Sequence, residues 1–140
     1  VSKSPEVTLD VAPNPHAAHA LSENLKASKA RTGRTYAVFA MLADKDVKGV
    51  LEAVIHDIDV WYLASIDNIR GASGGELASI ITDVMPNTIY KTFDNAADAF
   101  LQACIDIEAC IDIDENDKIV VFGSFFTVSS VMHLLSDGLN

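Results

Sequence analysis

Apolar residues along the chain fall into five short runs, most of them followed by a segment in which apolar residues recur at helical spacing. Several runs are almost continuously apolar, a pattern typical of strands in a parallel sheet that is covered on both faces. The runs are VTLDVA (7–12), TYAVFAML (35–42), VWYLASI (60–66), TIYKTF (88–93) and KIVVFGSF (118–125). The pattern therefore predicts five strands at these positions.

Four of the other segments carry apolar residues at i, i+3, i+4 and i+7 or close to it, the spacing of an amphipathic helix. The four sets are Val47, Val50, Leu51, Val54 and Ile55; Leu77, Ile80, Ile81 and Val84; Ala97, Phe100, Leu101, Cys104 and Ile105; and Val128, Val131, Met132 and Leu135. Such alternation predicts an α/β fold, a Rossmann-like open, mostly parallel sheet with helices on both faces. No linker rich in Gly, Pro or Ser divides the chain, so residues 1–140 are expected to form a single domain.

Composition narrows the possible partners and the compartment. The 140 residues carry a net charge of −10, which argues against nucleic acid or an anionic membrane as a partner. No apolar run has the length of a membrane span. Cys104 and Cys110 have no CxxC pattern, and we expect reduced thiols in a cytoplasmic protein. Because the first residue is not Met, we expect a processed chain or a fragment of a longer one.

Function is expected at one edge of the predicted sheet. In open α/β sheets, ligands bind outside the carboxyl ends of the strands, near the point where the strand order reverses. The segments that follow the predicted strands and carry candidate chemistry are residues 10–16, 43–46, 67–76 and 123–127.

The first of these segments is predicted to start a helix. Asn14 is well placed to cap the helix N-terminus, and Pro15 suits the first helical position, where its missing N–H costs nothing. Asp10 is then a candidate to hold a ribose hydroxyl or a metal-bound water, beside a helix end that favours anions. The alternative is an ordinary strand–turn–helix joint. His16 and His19 share a helical face, but no third ligand is evident, so no metal site is predicted.

The second segment offers one candidate cation. Lys45 stands between two acidic residues at a predicted helix start and is suited to bind a carboxylate or phosphate as a compact point charge. The alternative is an exposed lysine paired with Asp44 or Asp46.

The third and fourth segments carry glycines beside a polar side chain. NIRGASGGE contains Arg70 and three glycines but matches neither G-x-x-x-x-G-K-[ST] nor G-x-G-x-x-G, which favours a flexible loop with Ser73 as a helix cap. In GSFFT, Gly123 permits close backbone approach to a ligand, and the Ser124 hydroxyl is suited either to cap a helix or to donate a hydrogen bond. The G-x-S-x-G pattern of a hydrolase nucleophile is absent.

Four motifs in register carry a resemblance to a known family. DVAPNPHA, MLADKD, IRGAS and VVFGSFFTVSSVM, in this order and spacing, resemble the C-terminal domain of folylpolyglutamate synthases. The resemblance is greatest to the bacterial bifunctional dihydrofolate synthase/folylpolyglutamate synthase branch of the Mur ligase superfamily. It covers the chain from Pro5 to about Leu135.

The resemblance implies an ATP-dependent amide ligase. In the family, ATP phosphorylates a carboxylate of dihydropteroate or of a folate's terminal glutamate, and the amino group of L-glutamate then attacks the acyl phosphate. ATP and Mg²⁺ are implied as cofactors, held mainly by an N-terminal ATPase domain that should precede this chain and be its partner. The 140 residues alone are therefore expected to be inactive.

The resemblance also implies roles for individual residues. Asp10 matches the acid of the family motif D-x-A-H-N-P and, with Asn14 and His16, is implied to contact the nucleotide. Lys45 and Ser124 match positions implied to contact the carboxylates of the incoming glutamate. Arg70 matches a family arginine to which we assign no role.

The chain departs from the family pattern at two positions. Pro13 and Phe126 stand where the family usually, or its bacterial members often, have His, and each replaces a titratable donor with a group that cannot exchange a proton. Both positions follow predicted strands, and our hypothesis is that they face one cleft and changed together to keep local packing.

Three other interpretations remain open on the sequence alone. One is the corresponding domain of a cell-wall Mur ligase. Another is a stand-alone nucleotide-binding or signalling module with a receiver-like fold, although a phosphoacceptor pattern is missing. The third is a purely structural domain.

Overall fold

The computed structural model describes residues 5–28, 32–110, 114 and 116–137, and shows one five-stranded sheet in which every pairing is parallel. The strands are β1 (Glu6–Asp10), β2 (Thr35–Phe39), β3 (Val60–Ala64), β4 (Tyr90–Phe93) and β5 (Lys118–Phe122). The helices are α1 (Pro15–Ala27), α2 (Val47–Val54, continued by a 3₁₀ turn at Ile55–Asp57), α3 (Gly74–Val84), α4 (Ala96–Ala109) and α5 (Phe125–Ser136). The predicted α/β class and all five predicted strands are confirmed.

The strand order is β1-β5-β2-β3-β4, so the last strand lies between the first two. This order differs from the 2-1-3-4-5 arrangement of flavodoxin-like sheets such as that of the receiver domain CheY, which removes the receiver-like alternative. In the register, Asp10 and Phe39 both lie beside Phe122, so three carboxyl ends are level with one another. The loops that leave β1, β5 and β2 therefore start side by side.

Two apolar clusters, one on each face of the sheet, form the core. The helices α1, α2 and α3 cover the face that carries Ala37, Phe39, Trp61, Leu63, Val120 and Phe122. The helices α4 and α5 cover the opposite face, which carries Tyr36, Val38, Tyr62, Ile119 and Val121. Every residue of β2 and β5 is buried, which explains why these runs are apolar on both faces.

Each predicted run is longer than the strand it predicts. After β2, for example, Ala40, Met41 and Leu42 stay buried. The Ala40 N–H still donates to Phe122 O of β5 at 3.4 Å, whereas Met41 and Leu42 bond to the loop between β3 and α3. An apolar run therefore marks burial, and its end does not mark the end of the hydrogen-bonded strand.

The helical patterns predict the positions of the four helices correctly. They do not always predict which face of the helix is buried. In α2 all five residues of the pattern are buried. In α4 the buried residues are Ala96, Ala99, Phe100, Ala103 and Ile107, whereas the predicted core residue Ile105 is 57% exposed. The three alanines let α4 approach β2 and β3 closely, and this close packing overrides the larger side chains next to them. In α5, Met132 is likewise exposed although Val128 and Val131 are buried.

The described helices are too short or too polar to cross a membrane. Cys104 and Cys110 are both half-buried, and an Arg34 Nη donates to the Cys110 sulfur at 3.1 Å.

A polar network lies at the edge of the core between β3, β4 and α4. The Tyr62 hydroxyl donates to Asp106 at 2.7 Å, and Lys91 Nζ donates to the same carboxylate oxygen at 2.7 Å. Gln102 Nε2 donates to the other oxygen at 2.8 Å. Burial alone would raise the pKa of Asp106, but these three hydrogen bonds together outweigh it and hold the pKa below its usual value. Burial first, and then the bond to Asp106, raise the pKa of Tyr62 above 10.0.

The raised pKa of Tyr62 predicts a loss of stability at alkaline pH. Below pH 10 the tyrosine is neutral in both states, and above pH 10 the unfolded chain ionises first, so the free energy of unfolding falls as pH rises. In Tyr62→Phe we expect a lower free energy of unfolding at pH 8 and a decline between pH 10 and 11 that is smaller by about 1 kcal/mol. Urea unfolding at the three pH values measures both.

Tyr90→Phe is the matched control, because Tyr90 is exposed and should leave the wild-type pH dependence unchanged. Tyr36, whose ring contacts Tyr62 and whose pKa is also raised by burial, contributes equally to all three proteins. An identical alkaline decline in Tyr62→Phe and wild type would contradict the prediction.

Candidate functional site

Three loops meet at the carboxyl end of the sheet around β5. This strand continues into α5 on one face, whereas its neighbours β1 and β2 continue into α1 and α2 on the other face. Adjacent loops that leave a sheet toward opposite faces open a crevice between them, and such crevices bind ligands in open α/β sheets. By this rule a crevice is expected around β5, with the β1–α1 loop on one side of the strand and the β2–α2 loop on the other.

The β1–α1 loop is held in a defined shape by local hydrogen bonds. Asp10 Oδ1 accepts a hydrogen bond from the Ala12 N–H at 3.0 Å. Asn14 caps α1, with Oδ1 accepting from the Ala17 N–H at 2.9 Å, and Pro15 is the first helical residue. The predicted cap and helix start are confirmed, and Asp10 keeps its second carboxylate oxygen for other donors.

Ala12 has a φ of +39°, a left-handed conformation that is uncommon for residues other than glycine. Its side chain is buried, and Pro13 follows it. Sequence reasoning did not single out Ala12, because an alanine carries no signal for positive φ. Backbone in such a conformation persists only where its surroundings hold it, and here it fixes the path from Asp10 to Asn14.

His16 lies in the first turn of α1 and is exposed, as is His19 one turn later. Asp10, Asn14 and His16 therefore belong to one loop and the helix turn that follows it. Within the described ranges, no three His, Cys, Asp or Glu side chains come close enough to hold a metal ion.

The β5–α5 turn joins the loops on both sides of it. The Gly123 N–H donates to Val11 O at 2.9 Å, which links β5 to the β1–α1 loop. Ser124 caps α5, with its Oγ accepting from the Thr127 N–H at 3.1 Å. Thr127 Oγ1 donates to Ala40 O at 2.7 Å, which links the same turn to the end of β2.

Gly123 is a position where only glycine fits. Its φ is +116°, and a Cβ built on it would lie 2.3 Å from the Ala40 carbonyl oxygen. The glycine was expected to allow close approach of a ligand, whereas the structure shows close approach of the backbone that follows β2.

The β2–α2 and β3–α3 loops are fastened to each other by their backbones. Ala72 N–H donates to Met41 O at 3.0 Å, Ala43 N–H donates to Arg70 O at 2.6 Å, and Leu42 and Gly71 form an antiparallel bridge. The flexible loop predicted around Arg70 is thus attached to its neighbour. The predicted Ser73 cap is confirmed, as part of a reciprocal capping box with Glu76.

Arg70 has an identifiable partner in the structure. Its Nε and one Nη lie 2.9 and 2.7 Å from the same oxygen of Asp44. The pair crosses from the β3–α3 loop to the β2–α2 loop, and both side chains are about half exposed, at 53% and 52%. The sequence left Arg70 without a role, and the structure gives it a contact between loops.

Lys45 is exposed directly before α2. The alternative in which it pairs with Asp44 or Asp46 is not what the described residues show, since Asp44 binds Arg70 and Asp46 caps α2 through the Gly49 N–H at 3.0 Å. None of the ion pairs within the described ranges involves Lys45. Its ammonium group and the N-terminal end of α2 both favour an anion at this place.

Pro13 and Phe126, the two departures from the family pattern, are both exposed at the carboxyl end of the sheet. Pro13 precedes the cap of α1, and Phe126 lies in the first turn of α5. Their shared cleft and their joint change stay a hypothesis.

The strand order and the helices on both faces define a Rossmann-like α/β domain, and the carboxyl edge of its sheet is the candidate ligand site. Comparison with known proteins gives the family. The family model for the "Mur ligase, glutamate ligase domain" matches residues 1–125. The chain belongs to this family.

Relatives in the family are folate enzymes. The chain is 38% identical over 135 residues to the dihydrofolate synthase/folylpolyglutamate synthase of Escherichia coli (strain K12), which is 96% of this chain and 29% of that protein. It superposes on E. coli FolC in complex with DHPP and ADP with a TM-score of 0.82 at 37% identity, covering 98% of this chain and 30% of the other. The resemblance predicted from the four motifs is confirmed.

A second solved structure is a bifunctional folylpolyglutamate synthase/dihydrofolate synthase with Mn, AMPPNP and L-glutamate bound. The TM-score is 0.78 at 37% identity, over 97% of this chain and 30% of that one. The chain thus spans about a third or less of the length of the relatives it matches.

Gly123→Ala tests the close passage of β5 past β2. A Cβ at a positive φ and against a backbone carbonyl forces the strands apart, and we expect the free energy of unfolding to fall by more than about 2 kcal/mol. Gly75→Ala is the control, because its nearest neighbour would be Ser73 Oγ at 3.8 Å and it lies in α3. Urea unfolding should show the control unchanged or more stable, and equal losses in the two variants would contradict the prediction.

The Arg70–Asp44 pair should contribute little to stability, because both side chains are half exposed and both nitrogens contact one oxygen. In a double-mutant cycle of Asp44→Asn and Arg70→Met, we expect a coupling energy below about 1 kcal/mol in the free energy of unfolding. A coupling well above that range would show that the side chains, more than the backbone bonds, hold the two loops together.

Proposed function

We propose that this chain is the C-terminal domain of an ATP-dependent ligase that adds L-glutamate to dihydropteroate, to the γ-carboxylate of folates, or to both. The observation that carries the proposal is the joining of the β1–α1 and β2–α2 loops through the turn at Gly123 and Ser124. In the proposal, Asp10 lies on the β1 side of β5 and the cation of Lys45 lies on the β2 side. The family membership and the ligands named for its relatives support the assignment.

The nucleotide is assigned to the β1–α1 side. Asp10 has a carboxylate oxygen not used by Ala12, and a carboxylate is suited to accept hydrogen bonds from ribose hydroxyls. Asn14 uses its Oδ1 as the cap of α1, which leaves its amide Nδ2 as a donor. His16 is exposed in the first turn of α1, directly after this loop, and we assign it to the nucleotide as well.

The amino acid is assigned to the β2–α2 side. Lys45 supplies a positive charge at the start of α2, in a chain whose net charge is −10. Glutamate carries a net negative charge and is repelled by the chain as a whole, so a local cation without an acidic partner favours its binding. Arg70 forms an ion pair with Asp44, and its effect on Lys45 is to keep the Asp44 carboxylate from pairing with the lysine.

ATP supplies the phosphoryl group that activates the acceptor carboxylate, and Mg²⁺ neutralises phosphate charge. As the family resemblance implies, we assign the metal to the proposed ATPase domain. The residues of this chain orient the nucleotide and the amine. The amine nitrogen then bonds to the activated carbonyl carbon, phosphate leaves, and a proton from the amine passes to solvent.

The rest of the enzyme and its location are part of the same proposal. Relatives are more than three times as long as this chain, and we propose that an N-terminal ATPase domain of the same polypeptide is its partner. A cytoplasmic location remains a part of the proposal.

The function is tested by assaying L-glutamate-dependent ADP release with dihydropteroate or a folate acceptor, using the ligase that contains this chain. We expect turnover by the whole ligase and none by the 140 residues alone. Glutamate-dependent turnover by the 140 residues, or none by the whole ligase with either acceptor, would overturn the proposal.

Lys45→Met tests the glutamate side. Loss of a charge-assisted hydrogen bond should raise KM for L-glutamate by about 10-fold to 100-fold, with KM for ATP changed less than about 2-fold. Lys48→Met is the matched control, an exposed lysine one turn further along α2. Equal effects of the two substitutions would show that Lys45 acts only through the overall charge.

A further inference from the structure

The hydroxyl groups of Ser124 and Thr127 form a chain of hydrogen bonds whose direction is fixed. The Thr127 Oγ1 lies 2.7 Å from Ala40 O, and a carbonyl oxygen can only accept, so the single hydroxyl proton of Thr127 is used there. The oxygens of Ser124 and Thr127 lie 2.9 Å apart. The proton in that contact must then come from Ser124, which donates to Thr127.

Ser124 Oγ then has one lone pair left, so it can still accept one hydrogen bond but has no proton left to donate. A hydroxyl has one proton and two lone pairs. The proton of Ser124 goes to Thr127 Oγ1, and one lone pair accepts from the Thr127 N–H at 3.1 Å. A ligand that meets Ser124 Oγ must therefore donate a hydrogen bond.

Burial preserves this arrangement. Thr127 is 1% exposed and Ser124 is 6% exposed, so water has little access to offer other partners to the chain. Turning the Ser124 proton toward a ligand would leave Thr127 Oγ1 without its donor in a dry environment. An ionised carboxylate, which has no proton to give, would have to force that change.

We propose that Thr127 is a positioning residue, which orients the Ser124 hydroxyl to accept a hydrogen bond from the α-amino group of the incoming amino acid. This inference rests on the proposed function and replaces the carboxylate contact that the family resemblance implied for Ser124. The amino group is the donor that the proposed amino acid substrate brings to the crevice.

The position of Ser124 in the sheet agrees with this role. It follows β5, which lies between β1, on the nucleotide side, and β2, on the side of Lys45. An amino acid whose carboxylate is at Lys45 and whose amine is at Ser124 points its nucleophile toward the nucleotide side. That is the direction from which an acyl phosphate formed by ATP would be presented.

The first test uses Ser124→Ala in the ligase that contains this chain, with glutarate as the probe. Glutarate keeps both carboxylates of glutamate and lacks the amine. We expect KM for L-glutamate to rise about 10-fold, and the inhibition constant of glutarate to change less than about 2-fold. An equal loss of affinity for both ligands would place Ser124 on a carboxylate and overturn the inference.

The second test addresses the direction of the hydrogen bonds. Thr127→Val removes the acceptor of the Ser124 proton, so the freed hydroxyl can donate to a carboxylate. In Thr127→Val, the ratio of the glutarate inhibition constant to the glutamate KM should fall by about 10-fold. Thr127→Ser keeps the chain of hydrogen bonds, so its ratio should stay within about 2-fold of the wild-type value. This ratio is insensitive to a uniform loss of folded protein.

An unchanged ratio in Thr127→Val would overturn the role of Thr127. If Thr127→Val does not fold, the other two variants still test the inference. A changed inhibition constant of glutarate in Ser124→Ala contradicts it, and so does a changed ratio of that constant to the glutamate KM in Thr127→Ser. A wild-type ligase with no glutamate-dependent turnover would instead overturn the proposed function itself.

Discussion

The passage of Gly123 against the carbonyl group of Ala40 is the constraint on which the site depends. Here the last strand ends between the first two, and a side chain at this residue would meet the neighbouring backbone at 2.3 Å. Because the glycine fits, its N–H reaches Val11 and the following turn reaches Ala40 through Thr127. The joining of the β1–α1 and β2–α2 loops through the turn after β5 follows from this one close passage.

The strands, the helices and some of the helix caps could be predicted from the sequence, because they depend on residues that are neighbours along the chain. The continuous apolar strands β2 and β5, the buried face of α2 and the caps Asn14 and Ser73 are of this kind. The order β1-β5-β2-β3-β4 follows from pairings between distant segments and left no local signal. In α4, small alanines decided which face approaches the sheet, and counting large apolar residues gave the wrong one.

The same distinction applies to the candidate site. The segments at the carboxyl ends of the strands were found from strand positions alone, whereas the partners within them were not. Arg70 contacts Asp44 in a neighbouring loop, and Thr127, in α5, contacts Ala40, which follows β2. Thr127 stands at the third helical position after its cap, a spacing that signals a capping partner but not a contact with another strand. Family membership supports the proposed reaction class, and the atoms around β5 supply the direction of the hydrogen bonds at Ser124 and Thr127.

The antiparallel bridge between Leu42 and Gly71 has a thermodynamic consequence for the loop that carries Lys45. A free loop loses conformational entropy when a ligand orders it, and that loss lowers the affinity. Here the backbone of the lysine loop is already ordered by the bridge and by the hydrogen bonds of Ala43 and Ala72. The entropy of ordering is therefore lost during folding, and in the proposed function an incoming amino acid has only the lysine side chain left to immobilise.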